Sequence, residues 1–385
     1  MSKFTKLLAL FLAAIMLLSL TACGGGETED TTPSTTTPTD TPTDTPENTP
    51  PVIVTYEDRT YNIAENLESI KVTGRSLVCD DGVTIDWSAS GIEFCAECKG
   101  TVSLTVTSSE PCRLLVYVDG ESRTVEIAKG TAAYELATEL AEGVHNIRVV
   151  KKNDNAVEST PDILTAVSEI SMCGLLRDKP ADKKYLVEFI GDSITCGLGT
   201  VAPSSLETDA TVTYAYLAAQ TLDVDYSFVS ISGIGVVKST DQNGGLVMGD
   251  IYGYTNYYRD QTAKYEPTRK ADLVVIALNT NDNGRNPTKA QYDAKATELI
   301  NSVKAVHGDD VKIIWVSALM SERGMCDIYA EYIMHGLGGA QAGYYFMLGT
   351  PDSSGAFTHP SVAGHAVNAE KLVKFIKDNK ILEIS

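Results

Sequence analysis

Val187-Glu188-Phe189-Ile190-Gly191-Asp192-Ser193-Ile194-Thr195 is the stretch with the clearest chemical potential. An apolar run stops at Gly191, and two small polar residues follow it. A short strand meeting a helix N-terminus exposes a side chain at the C-terminal edge of a parallel sheet, where α/β folds place their chemistry. Free backbone N–H groups at such a turn favour negative charge beside Ser193. Ser193 is therefore a candidate nucleophile whose own N–H helps bind an oxyanion. The competing reading is that Asp192 or Ser193 caps a helix, as Asp and Ser often do.

Partners for Ser193 occur at later strand ends. Asp225–Ile231 is strand-like and ends at Ser232-Gly233, and the apolar run Ala271–Leu278 ends at Asn279-Thr280-Asn281-Asp282. His359-Pro360 precedes the last helical stretch. In the reaction these residues can assemble, Ser193 attacks a carbonyl. His359 takes its proton and returns it to the leaving alcohol. The N–H groups of Ser193 and Gly233 and the amide of Asn281 hold the oxyanion. Asn281 is alternatively a residue that only stitches loops together. Asp192 and Asp282 are read as supporting residues beside this set.

There are five histidines. His145 lies in a strand-like segment without a polar cluster and reads as structural. His307 falls in a polar helix-to-strand connection, His335 near glycines, and His365 inside the last helix.

The elements that must position these residues follow from hydrophobic periodicity. From about 184 to 385, strands Leu186–Ile190, Asp225–Ile231, Ala271–Leu278, Val311–Val316 and Tyr344–Met347 alternate with helical stretches Thr211–Leu222, Lys289–Val306 and Pro360–Lys377. That alternation predicts a doubly wound α/β domain with a parallel sheet. From about 52 to 178 the chain reads as short strands: Thr101–Thr107, Leu114–Val118, Thr124–Ile127, Ala133–Leu136 and His145–Val150. Turn residues such as Asp119-Gly120 lie between them, which predicts an all-β sandwich. Trp87 reads as packing rather than as a sugar platform.

The front of the chain is of another kind. Lys3 and Lys6 precede an apolar run from Leu7 to Leu20, as in a signal peptide over 1–22. Leu20-Thr21-Ala22-Cys23 resembles a bacterial lipobox, which implies cleavage before Cys23 and a lipid on its sulfur. Residues 23–51 are rich in Thr, Pro, Gly and acidic residues and cannot bury a core; they read as a disordered tether. The expected location is outside the cytoplasm, lipid-anchored to a bacterial cell membrane, with no other membrane contact.

The formal net charge is −20. Residues 1–22 carry two lysines and no acids, so their removal leaves a more acidic chain. Nucleic acid and anionic lipid surfaces are poor partners for it, whereas neutral polysaccharide is compatible. Of eight cysteines, seven follow Cys23, an odd number that leaves a thiol free. Cys95-Ala96-Glu97-Cys98 has no second pair or nearby His to complete a zinc site.

Gly191-Asp192-Ser193-Ile194-Thr195, Ser232-Gly233, Thr280-Asn281-Asp282 and His359-Pro360-Ser361 resemble, in order, the four blocks of the SGNH, or GDSL, hydrolases. The likeness narrows to carbohydrate esterase family two through Glu188–Gly197, Gly74-Arg75-Ser76, Trp87-Ser88-Ala89-Ser90-Gly91-Ile92, Val116-Tyr117-Val118-Asp119-Gly120 and Val362-Ala363-Gly364-His365. It covers almost everything from about residue 70 to the end. The resemblance implies an N-terminal jelly roll joined to a C-terminal three-layer SGNH domain. It also implies a serine esterase that removes O-acetyl groups from polysaccharide or oligosaccharide of the xylan or glucomannan type, with no metal or organic cofactor. Deacetylation of cell-wall glycan and broad short-acyl esterase activity are the alternatives within enzymes. A carbohydrate-binding lipoprotein with a decayed site is the alternative outside them.

Three positions depart from the family pattern. Asn279 stands for a Gly, Ile231 for an aromatic residue, and Ala356 for the acid three residues before the His. Members with Ser–His dyads imply that the missing acid is not fatal. Either a backbone carbonyl of the preceding loop or the carboxylate of Asp352 is then expected to orient His359.

Overall fold

The computed structural model describes residues 55–155, 163–204, 207–337, 343–348 and 353–384. The expected signal peptide, tether and lipidation residue Cys23 lie outside these residues, as does Asp352. Ile53–Ser385 forms one compact unit.

The first half is all antiparallel. Its strands are β1 (Asp58–Asn62), β2 (Ile70–Thr73), β3 (Val78–Cys79), β4 (Gly82–Thr84), β5 (Gly91–Ser108), β6 (Cys112–Val118), β7 (Glu121–Ile127), β8 (Gly130–Lys151) and β9 (Thr165–Leu176). They pair in the order β3-β4-β9-β5-β8-β6-β7, with β1 on β9 and β2 on β5. Alternate residues of β5, among them Phe94, Ala96, Cys98, Val102, Leu104 and Val106, point into one apolar core. The expected separate strands Ala133–Leu136 and His145–Val150 are one strand of 22 residues, β8. Glu139 and the Gly143 region look like a turn in sequence. Pairing with β5 nevertheless continues across them, with register shifts between Cys98 and Val102 absorbing the irregularity. Bulges of this kind bend a strand without ending it.

The second half is parallel. Strands β10 (Leu186–Gly191), β11 (Asp225–Ser230), β12 (Leu273–Ala277), β13 (Lys312–Ser317) and β14 (Gly343–Met347) lie in the order β11-β10-β12-β13-β14. Helices α1 (Ser193–Cys196), α2 (Tyr214–Leu222), α3 (Met248–Ile251), α4 (Thr280–Asn283), α5 (Lys289–His307), α6 (Met325–Gly336) and α7 (Val362–Asp378) connect and flank them. Val187, Phe189, Val275 and Ile314 pack with α2 and α7 on one face. Ile190, Ile276, Ile313 and Trp315 pack with α5 and α6 on the other. Both faces are covered, which is why β12 is apolar throughout. Strand order reverses on either side of β10, so a crevice is expected at the C-terminal ends of β10 and β12.

The last helix starts at Val362, not Pro360. Ser361 is its N-cap and accepts the Gly364 N–H. His307 is likewise not in a polar connection: it is the last residue of α5, and it is buried.

The two halves meet through buried groups. Arg75 donates to both carboxylate oxygens of Glu188, at 3.1 and 3.0 Å. Glu188 also accepts from Tyr252 Oη at 2.6 Å and from His307 Nε2 at 3.1 Å. Burial alone would raise the Glu188 carboxyl, but Arg75 and His307 hold it well below the usual carboxylate range. Trp87, fully buried, donates its indole N–H to the Thr255 carbonyl at 2.7 Å, a packing role as expected.

Candidate active site

β10 runs straight into the site. Gly191 has no room for a Cβ, because Thr195 fills that position. Asp192 is the N-cap of α1, and its Oδ1 accepts the Ile194 N–H at 3.0 Å. Ser193 opens the helix, which stops after one turn at Gly197 in the left-handed region. The cap is thus Asp192, and Ser193 beside it stays the candidate nucleophile. Ser193 is the first helical residue, so its N–H is one of those a helix cannot satisfy internally.

Ser193 Oγ lies 2.8 Å from His359 Nε2. The other ring nitrogen, Nδ1, lies 3.0 Å from the Phe357 carbonyl oxygen. That carbonyl accepts the Nδ1 proton, which leaves Nε2 as the acceptor facing the serine hydroxyl. Burial lowers the His359 pKa, and the Phe357 carbonyl opposes this. Burial thus favours the neutral imidazole, the form a general base needs.

The loop before His359 is unusual. Phe357 and Thr358 have φ of 55° and 59°, a conformation that β-branched and bulky residues rarely adopt. The turn is fixed from outside by the Ala356 N–H, which donates to the Gly199 carbonyl at 2.8 Å, and is closed internally by the His359 N–H, which donates to the Ala356 carbonyl at 3.0 Å. Thr358 Oγ1 donates to the Phe357 carbonyl at 2.6 Å. The acid missing at position 356 is thus replaced by a backbone oxygen in a strained turn.

Asn281 is the second residue of α4, just beyond β12. Its Nδ2 donates to the Ile234 carbonyl at 2.8 Å and lies 3.4 Å from Asp192 Oδ2. It therefore stitches the loop after β11 to that after β12. Its longer contact faces Asp192, the residue beside Ser193. Asp282 accepts the N–H groups of Val236, Val237 and Lys238 at 2.8 to 2.9 Å, shaping the same loop. Burial raises the Asp282 carboxyl despite these donors. Burial pushes the Asp192 carboxyl up to about 7, helped by the charges of Asp282 and Asp154.

Asn279 has φ of 99°, which accounts for the glycine expected there. Its side chain is buried. Nδ2 donates to Asp327 at 2.9 Å and Oδ1 accepts the Tyr292 hydroxyl. The extra bulk is held by α5 and α6. Ile231 is fully buried and packs in the cluster that holds Trp87, so it offers no surface to a sugar.

His365 is buried, taking the Tyr214 N–H on Nδ1 at 3.1 Å and facing Thr200 Oγ1 through Nε2 at 3.2 Å. His145 pairs with Asp119 at 2.6 Å in the antiparallel half, a structural role. Sequence reasoning missed Asp154, Gln242 and Asn243, which hold the Ser232-Gly233 segment; Asn153-Asp154-Asn155, a polar run straight after a strand, was the available signal.

Residues 189–367 match the GDSL-like Lipase/Acylhydrolase family. The chain carries a GDSL-like hydrolase domain. Ser193, Gly233, Asn281 and His359 all fall within the matched span. Cellulase/esterase CelE of Acetivibrio thermocellus is 27% identical over 342 residues, which are 82% of this chain and 40% of that protein. The chain thus spans less than half of that relative. The acetylxylan esterase / glucomannan deacetylase of Cellvibrio japonicus is 25% identical over 338 residues, 81% of this chain and 91% of that protein. A family two carbohydrate esterase from Clostridium thermocellum, solved in complex with cellohexaose, superposes with a TM-score of 0.70 at 25% identity. The match covers 81% of this chain and 100% of that one, so the likeness takes in both sheets.

Proposed function

We propose that this GDSL-domain chain is a serine esterase that removes O-acetyl groups from polysaccharide of the xylan or glucomannan type. The observation that carries the reading is the ordered Ser193–His359–Phe357 carbonyl relay. The names of the similar proteins supply the substrate class. Ser193 Oγ forms a bond to the acetyl carbon while its proton passes to His359 Nε2. Collapse of the tetrahedral oxyanion breaks the ester C–O bond, and His359 gives the proton to the departing sugar hydroxyl. Water then repeats the sequence on the acetyl-enzyme, releasing acetate. The N–H groups of Ser193 and Gly233 and the Asn281 amide bind the oxyanion. For Asn281 this requires the weak contact to Asp192 to give way to substrate. The engaged relay and the burial of the Asn279 side chain away from it support catalysis over a decayed binding site. The test is acetate release from acetylated xylan, glucomannan and peptidoglycan. Release from the first two fits the reading, and release from peptidoglycan alone replaces the substrate class.

Leu20-Thr21-Ala22-Cys23 and the Thr/Pro-rich stretch after it support an anchor: a diacylglycerol on Cys23 holding the esterase outside the cell at the end of a tether. Full-length protein should partition into detergent, and Cys23→Ser should abolish this. Equal partitioning of the two removes the anchor.

A further inference from the structure

The Ser232–Gly233 peptide is gripped through both neighbouring polar groups. The Ser232 carbonyl accepts Gln242 Nε2 at 2.7 Å and Asn243 Nδ2 at 3.1 Å. The Ser232 N–H donates to Asp154 Oδ2 at 3.0 Å. Asp154 is fully buried and sits in the loop after β8, in the antiparallel half. Its own N–H donates to Thr208 Oγ1 at 2.8 Å, which fixes the loop in turn. Gly233 has φ of 78°, and a Cβ there would collide with Thr240, so the turn holding Gln242 and Asn243 lies directly against it.

The geometry of the peptide bond gives this grip a consequence. In a trans peptide the carbonyl and the following N–H point in opposite directions. Pinning the Ser232 carbonyl on Gln242 and Asn243 therefore turns the Gly233 N–H away from that turn. Among the described residues, neither this N–H nor that of Ser193 donates to another protein group. The Ile231 N–H, bound to the Gly191 carbonyl at 3.3 Å, keeps the segment beside the nucleophile turn.

We infer that Asp154, Gln242 and Asn243 are positioning residues that aim the Gly233 N–H as an oxyanion donor, so that the antiparallel half helps build the active site. This rests on the esterase reading above. An oxyanion donor strengthens its contact only as charge develops, so misaiming it lowers kcat rather than raising KM.

The experiment is steady-state hydrolysis of an aryl acetate by the full chain. Gln242→Ala/Asn243→Ala together should lower kcat about 10- to 100-fold, with KM within about threefold. Asp154→Ala should do the same, and Asp154→Asn, which keeps an acceptor oxygen, should recover most of the loss. Combined with Asn281→Ala, the Gln242/Asn243 pair should cost clearly less than the product of the separate losses, because both serve one oxyanion. Gln242 is exposed, so Gln242→Ala carries the test if the buried variants do not fold. Unchanged kcat, a loss confined to KM, or full independence from Asn281→Ala overturns the clamp. A wild type that hydrolyses no acetyl ester overturns the esterase reading instead, and the clamp's role with it.

Discussion

His359 Nδ1 lies 3.0 Å from the carbonyl oxygen of Phe357, two residues upstream, while its Nε2 lies 2.8 Å from Ser193 Oγ. A carbonyl fixes the tautomer as a triad carboxylate does, but it brings no full negative charge to the imidazolium that forms during attack. Asp352→Asn should therefore lose less than about tenfold in kcat/KM, whereas amide replacement of a triad Asp costs about 10⁴ in a serine protease. Because burial lowers the His359 pKa, the acid limb of the kcat/KM profile should fall below the ordinary His value of 6.5. It should stay there in Asp352→Asn. A loss in that variant comparable to His359→Ala would show a displaced triad.

The same carbonyl depends on a strained turn. Phe357 and Thr358 both have positive φ, at a cost of about 1–3 kcal/mol each. Glycine adopts that conformation freely but gives up as much as about 1 kcal/mol to unfolded-chain entropy. Thr358→Gly should therefore stabilise the protein by about 1 kcal/mol in urea unfolding while lowering kcat several-fold, because the loop that aims the Phe357 oxygen is loosened. A destabilised variant with full activity would contradict this.

His365 should make the fold sensitive to acid. It is fully buried, and burial pushes its pKa down to about 3, with the His359 charge adding to this. The unfolded chain then binds more protons between pH 6.5 and about 3, so stability falls as pH falls through that window, approaching about 1.4 kcal/mol per pH unit. Asp192, pushed up to about 7, acts with the opposite sign. The difference between wild type and His365→Asn therefore carries the test: in urea unfolding the variant should be less stable at pH 7, and the gap between the two should narrow as pH falls below 6. Parallel pH dependences would mean that His365 is protonated in the fold.

Much of this arrangement was legible in the sequence. An apolar run broken by Gly191-Asp192-Ser193 marks a strand end; three such ends, with His359-Pro360 ahead of the last helix, place Ser193, Gly233, Asn281 and His359 on one sheet edge. The parallel sheet followed from the same runs, since strands covered on both faces must be apolar throughout. The length of β8 was hidden, because a bulged strand and a turn use the same residues around Gly143. The sequence does not single out what orients His359, because a carbonyl oxygen is present at every residue and the positive φ at 357 and 358 is what turns this one toward the ring. Asp154 is harder to read for a different reason: the polar run Asn153-Asp154-Asn155 marks a loop, but the Ser232 it holds lies 78 residues away, and no local pattern names that partner.

The most direct test of the central claim is hydrolysis of an aryl acetate by wild type and Ser193→Ala, with an active-site fluorophosphonate followed by peptide mapping. Wild type should turn over and carry the label on Ser193. Ser193→Ala should stay folded, take no label and lose on the order of a thousandfold or more in kcat. Retained hydrolysis in a folded Ser193→Ala protein would contradict the account.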